Sequence, residues 1–171
     1  MTSIRAFVSA AALSAAIVLV PSAAHAQSAA TPASDTRQQV SASPFLMAYK
    51  YFNVEYERRA TKASTWGVST SFYPNDGADY RNVGAFWHFY PGGRALNGFY
   101  LGGRVQVHHA SDGIGSATLG GVGFELGKNW IIGRRTLVGI GAGVTRLFGA
   151  PLGGDSLTLP TFRIANVGIA F

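Results

Sequence analysis

The chain has 171 residues, 47% of them hydrophobic and 13% charged, and no cysteine. That excludes a disulfide framework and thiolate chemistry and leaves enough chain for one domain with its own core. Lys and Arg number 14 against 8 Asp and Glu, a formal net charge of +6, but no basic run with interleaved aromatics accompanies the surplus, so nucleic acid is not an expected partner.

Residues 1–26 read as a cleaved signal peptide. Arg5 precedes the apolar run "AFVSAAALSAAIVLV", Pro21 breaks it, and "AHA" supplies the small residues a signal peptidase reads. The run is shorter than the about 20 apolar residues a membrane helix needs. Cleavage after Ala26 would leave 171 − 26 = 145 residues with 13 basic and 8 acidic side chains, a net of +5. Residues 27–43, "QSAATPASDTRQQVSAS", are small and polar and read as a flexible lead-in. Residues 44–171 are expected to form the folded domain.

From Pro44 onward, short stretches alternate with period two between clusters of Gly, Pro, Asn and Asp. This predicts strands over 45–58, 64–73, 80–90, 98–110, 116–127, 136–148 and 160–171. One parity is apolar: Trp66, Val68 and Phe72, then Val83, Ala85, Trp87 and Phe89, then Val105 and Val107, Val122, Phe124 and Leu126, Ile140 and Val144, and finally Val167, Ile169 and Phe171. The other parity is small or polar, with Asn53, Glu55 and Glu57, Ser69 and Ser71, Asn82 and His88, Arg104 and Gln106, and Glu125 among many glycines.

A soluble secreted β-sandwich, acting as a binding module, would bury the apolar parity; a membrane barrel would turn it to lipid. The barrel is favoured because the strands reach the about 10 residues that cross a bilayer when tilted. The polar parity is also rich in Gly and poor in Lys, unlike a solvated sheet face. Tyr56, Trp66, Tyr73, Tyr80, Tyr90, Tyr100 and Trp130 fall near strand ends, as interface girdles require. The expected fold is all-β: an antiparallel up-and-down transmembrane β-barrel of about eight strands, monomeric, surrounded by outer-membrane lipid. Bacterial single-chain barrels have even strand numbers, so one more strand is expected before or within residues 38–52. Such a barrel is filled by its own side chains and has no continuous pore. Inside it, Arg104 is expected to pair with Glu125, Glu55 or Glu57, because an unpaired charge there is costly.

With a periplasmic C-terminus, Arg58, Arg59, Lys62, Arg94, Lys128, Arg134 and Arg135 fall in periplasmic turns, and Asp76, Asp79, Asp112 and Asp155 in outer loops. Turns solvate charges of either sign, which accounts for the sorting; a cation ring that holds inner-leaflet phosphates is the sharper alternative.

The final stretch "RIANVGIAF" places Val167, Ile169 and Phe171 at alternate positions. It resembles the C-terminal signature of bacterial outer-membrane barrels, which implies the barrel assembly machinery as a partner during insertion. The order "NVEYERR", "AFWHFYP", "NGFYLGGRVQVHH", "GGVGFELGKNW", "GIGAGVTRLFG" and "RIANVGIAF" resembles a family of small outer-membrane barrels catalogued as a domain of unknown function. The likeness covers roughly residues 44–171 and implies a fold and a location but no catalytic residue. One enzymatic alternative remains. "HHASD" is similar to the His-x-Ser-Asn motif of outer-membrane lipid A deacylases, with His109 and Ser111 as base and nucleophile and Glu125 as the orienting acid. Asp112 stands where that motif has Asn, and Glu125 lies on the opposite parity. No metal motif, P-loop or dinucleotide fingerprint appears, and no cofactor is expected. A structural or envelope role, without enzymatic activity, is the expectation.

Overall fold

The computed structural model describes residues 36–75, 77–112, 115–149 and 155–171. The signal peptide predicted over 1–26 and residues 27–35 of the predicted lead-in lie outside them. Eight antiparallel strands close, in sequence order, into one barrel. They are β1 Gln38–Ala42, β2 Phe52–Arg59, β3 Ser64–Asn75, β4 Ala78–Phe89, β5 Gly98–Asp112, β6 Gly115–Ile132, β7 Thr136–Phe148 and β8 Ser156–Ala170. A single-turn helix, α1 Pro44–Met47, joins β1 to β2.

The eighth strand is β1, within residues 38–52 where one more strand is expected, and it takes up part of the stretch 27–43 read as a flexible lead-in. Its sequence "QQVSA" is too polar to signal a strand. In a barrel with a polar lumen, however, only one face needs to be apolar: Gln39 and Ser41 are buried inside and Val40 is exposed outside. β1 pairs with β2 along its length and with β8 over four residue pairs, from Gln39↔Ala170 to Ala42↔Val167. That short seam closes the barrel. Three other boundaries move. The strand expected over 45–58 begins only at Phe52, because Pro44–Met47 form α1 instead. β6 runs on through "KNWII", where Lys128, Trp130 and Ile132 keep facing out and Asn129 in, and β8 starts at Ser156 within the predicted loop.

The packing is inverted relative to a soluble domain and to the sandwich alternative. Val83 is 62% exposed, Val105 57% and Ile169 61%, whereas Glu57, His88 and Asn129 are wholly buried. Gln38 and Phe171, with the turns after β2, β4 and β6, mark what we term the lower end; the turns after β3, β5 and β7 make the upper end. Residues 90–97 fold under the lower end, where Tyr90 N–H donates to Ala63 C=O (2.7 Å) and Ala95 N–H to Lys62 C=O (2.9 Å). This packs Ala95 with Tyr90 and Tyr100 in one buried cluster, and Leu96 beside it in the chain is buried as well. Leu96 takes a left-handed φ of 71° there, uncommon for a side chain with a Cβ.

Tyr90 and Tyr100, predicted for an outer girdle, therefore point into the lumen, and the Tyr80 hydroxyl meets His108 Nδ1 at 2.6 Å. The exposed aromatics of the lower end are Trp66, Trp87, Phe89, Phe99, Trp130 and Phe171. A second correction concerns β8. The sequence places Arg163 on the same parity as Val167, but Arg163 is buried inside and Val167 exposed outside. Gly139 pairs with Asn166 and Gly141 with Arg163, so two residues, Ile164 and Ala165, oppose the single Ile140. This is a β-bulge, with Ala165 at φ 47°, and it switches the parity of everything before it.

Candidate functional site

The lumen holds a connected cluster of charged side chains from β2, β4, β5, β6 and β8. His88 is its centre. Its Nδ1 lies 2.9 Å from Glu57 Oε1 and its Nε2 2.8 Å from Glu125 Oε1. Each ring nitrogen faces a carboxylate, which only accepts, so the arrangement is satisfied when both nitrogens carry hydrogen. The ring packs against Tyr100 and Phe86, with centroids 4.1 and 4.7 Å away and planes tilted by 32° and 31°.

From Glu125 the cluster passes to Arg104, whose Nη2 is 3.0 Å from Glu125 Oε2 and 3.7 Å from Glu55 Oε1. Glu55 also pairs with Arg163 and accepts from Asn166 Nδ2 at 2.9 Å. Arg163 Nη1 donates to the Tyr100 hydroxyl at 2.9 Å, and its guanidinium lies 5.7 Å above that ring. At the other side Glu57 accepts from Thr65, Gln39 and the Tyr90 hydroxyl, the last at 3.0 Å. Three carboxylates thus face two guanidinium groups and one imidazole whose two nitrogens both meet acceptors, and their charges cancel when that imidazole is doubly protonated.

Glycines make the space. A Cβ on Gly102 would stand 2.6 Å from His88 Cδ2, and one on Gly141 would stand 2.6 Å from the Tyr100 hydroxyl. Above the cluster a neutral layer continues the filling. Asn82 Nδ2 contacts His108 Nδ1 at 3.0 Å, Gln106 Nε2 donates to Asn82 Oδ1 at 3.2 Å, and Thr145 donates to Gln106 at 3.3 Å.

Of the residues predicted from sequence, Glu55, Glu57, Arg104 and Glu125 come together in this cluster, with Arg104 touching Glu55 and Glu125 but not Glu57. Sequence reasoning missed Arg163, hidden by the bulge, and gave no role to His88, although its inward parity beside Phe86 was legible. Val167, Ile169 and Phe171 are exposed on the outer wall. The backbone of Phe171 is tied to the start of β1: its N–H donates to Gln38 C=O and the Gln38 N–H donates to Phe171 C=O, both at 2.8 Å.

His109 and Ser111 stand on the outer wall near the upper end. His109 Nδ1 contacts Thr118 Oγ1 at 2.9 Å, and Ser111 sits opposite Ser116. Glu125 pairs in register with Gly102, on the order of 20 Å along β5 from His109 at about 3.3 Å per residue, and its side chain is inside the barrel. The three do not form a catalytic chain. Among the described residues no cluster of His, Cys, Asp or Glu could hold a metal. Comparisons with protein-family models, curated proteins and solved structures each returned no match.

Proposed function

We propose that this chain is a small β-barrel of the Gram-negative outer membrane. Residues 1–26 would serve as its export signal and the barrel assembly machinery would insert it; it acts structurally in the envelope, without enzymatic activity and without a continuous pore. The observation that carries this reading is the inverted packing. Exposed Val, Ile, Phe and Trp side chains surround the outer wall on every strand from β2 to β8, far more contiguous apolar surface than a soluble monomer leaves in water. A closed barrel satisfies every strand pairing internally, which a lipid environment requires. The lumen carries the charges, in neutralising pairs, and its lower end is closed by residues 90–97. The order of short motifs, which resembles that of an outer-membrane barrel family of unknown function, is in keeping with the same reading.

The test is cell fractionation. The protein should be recovered with the outer membrane, resist extraction by high salt, and migrate faster on a gel when unboiled than when boiled. A soluble periplasmic product with no heat-modifiable band would sink the proposal.

A further inference from the structure

The surface cations are divided unequally between the two ends. Arg37, Arg58, Arg59, Lys62, Arg94, Lys128, Arg134 and Arg135 all lie at the lower end. Among the described residues, Arg37, Arg58, Lys62, Arg94, Lys128, Arg134 and Arg135 form no ion pair, and no Asp or Glu side chain shares that outer surface. The upper end is mixed, with Asp79, Asp112 and Asp155 beside Lys50, Arg81 and Arg146, and Arg81 reaches Asp79 at 3.9 Å.

Two of the lower cations stand on the outer wall itself, and their neighbours fix their depth. Arg58 pairs in register with Trp66, and Trp66 with Trp87; Lys128 pairs with Phe99 and holds its Nζ 5.1 Å from the Trp130 ring centroid. Trp is enriched at the headgroup level of a bilayer. Arg58 and Lys128 are therefore level with headgroups, and Lys62, Arg94, Arg134 and Arg135 lie in the turns just beyond. Like charges gathered at one level repel unless an anion lies among them, and among the described residues no Asp or Glu side chain lies there.

We propose that the lower end is a binding surface for the phosphodiester headgroups of anionic phospholipids, with Arg58 and Lys128 as the contacts in the wall and the turn cations as a rim. The inference rests on the barrel lying in a bilayer. Each basic side chain near an anionic surface strengthens binding by about fivefold.

All 3 tryptophans of the chain, Trp66, Trp87 and Trp130, are exposed at this end, so their fluorescence reports which lipid is next to it. The full chain is refolded into phosphatidylcholine vesicles carrying equal fractions of nitroxide-labelled phosphatidylglycerol or nitroxide-labelled phosphatidylcholine. Labelled phosphatidylglycerol should quench as though enriched at least about fivefold, and the enrichment should shrink at high salt. It should fall towards parity in Arg58→Gln/Lys128→Gln and persist in the matched upper-end variant Arg81→Gln/Arg146→Gln. Equal quenching by the two lipids in the unmodified protein would overturn the proposal, as would an unchanged preference in the lower-end variant. Loss of the preference on adding millimolar inorganic phosphate would also overturn it, in favour of a soluble phosphate site. Failure to gain heat-modifiable mobility in any vesicle would overturn the bilayer reading and this inference with it.

Discussion

Glu57 and Glu125, on strands β2 and β6 across the lumen, are joined through the two nitrogens of a single imidazole, that of His88. Arg104 ties the same two strands through Glu55 and Glu125, but only His88 contacts both Glu57 and Glu125 among the described residues. A glutamine at position 88 would point its carbonyl oxygen at one of the two carboxylates. His88→Gln should therefore destabilise the barrel by about 3–5 kcal/mol, the usual cost of removing one partner from a buried charge pair. Adding Glu125→Gln should recover part of that loss. Urea unfolding in lipid vesicles measures both, and a His88→Gln variant as stable as the parent would contradict the bridging role.

The bulge at Ala165 gives a prediction with opposite signs at one residue. Ala165→Gly relieves a left-handed φ but gives the unfolded chain more freedom, so the variant should range from neutral to about 1 kcal/mol more stable. Deleting Ala165 should prevent folding or cost several-fold more, because a one-residue slip turns Arg163 out of the lumen and leaves Glu55 with Arg104 alone. Equal stability of the deletion and the substitution would show that register at β8 is not set by the bulge.

Packing around Tyr100 is tight enough to be read by small substitutions. Gly141→Ala places a methyl group 2.6 Å from the Tyr100 hydroxyl and should cost about 1–3 kcal/mol by overpacking. In a Tyr100→Phe background the same change should cost much less. Additive effects in that double-mutant cycle would rule out the contact.

The outer wall distinguishes lipid from water. Val105 lies at the middle of β5, 57% exposed and paired with Val122 and Ala85. Val105→Lys should cost about 2–4 kcal/mol in vesicles if this level is the bilayer midplane. A cost under about 0.5 kcal/mol, normal for a solvated surface position, would place Val105 in water.

Ser111→Ala should leave lipid A acylation unchanged. Mass spectrometry of lipid A from cells expressing the parent or the variant decides it, and ester loss that depends on Ser111 would restore the enzyme.

How much of this was legible in the sequence depended on what each strand faces. Strands β3 to β7 present Val, Trp and Phe at strict alternation, and the sequence located them, together with their inward Glu, Arg and Asn. Strand-number parity places a further strand before or within residues 38–52, and β1 lies there, but its own residues read as a linker because an inner face of Gln and Ser has a linker's composition. Arg163 was placed on the wrong face because a bulge leaves no mark in composition: Ala165 is an ordinary residue, and only the pairing with β7 shows the inserted position. Tyr90 and Tyr100 were assigned to the girdle because an aromatic near a strand end can point either way. Gly127 on β6 and Gly141 on β7, which make room for Tyr100, are the available sign in the sequence that a large ring lies inside.

Seven of the eight strand junctions join neighbours along the chain, and only the seam between β1 and β8 joins its two ends, over four residue pairs. The whole sheet can therefore exist as an open ribbon with every other junction already formed. In time rather than in space, the barrel is a clasp: closing it is the last and smallest step of assembly, and opening it the first step of loss. Under hydrogen exchange the backbone amides of Val40 and Ala42 should trade with solvent well before those of β5 and β6, and the order in which the ladder gives way should run outward from that clasp.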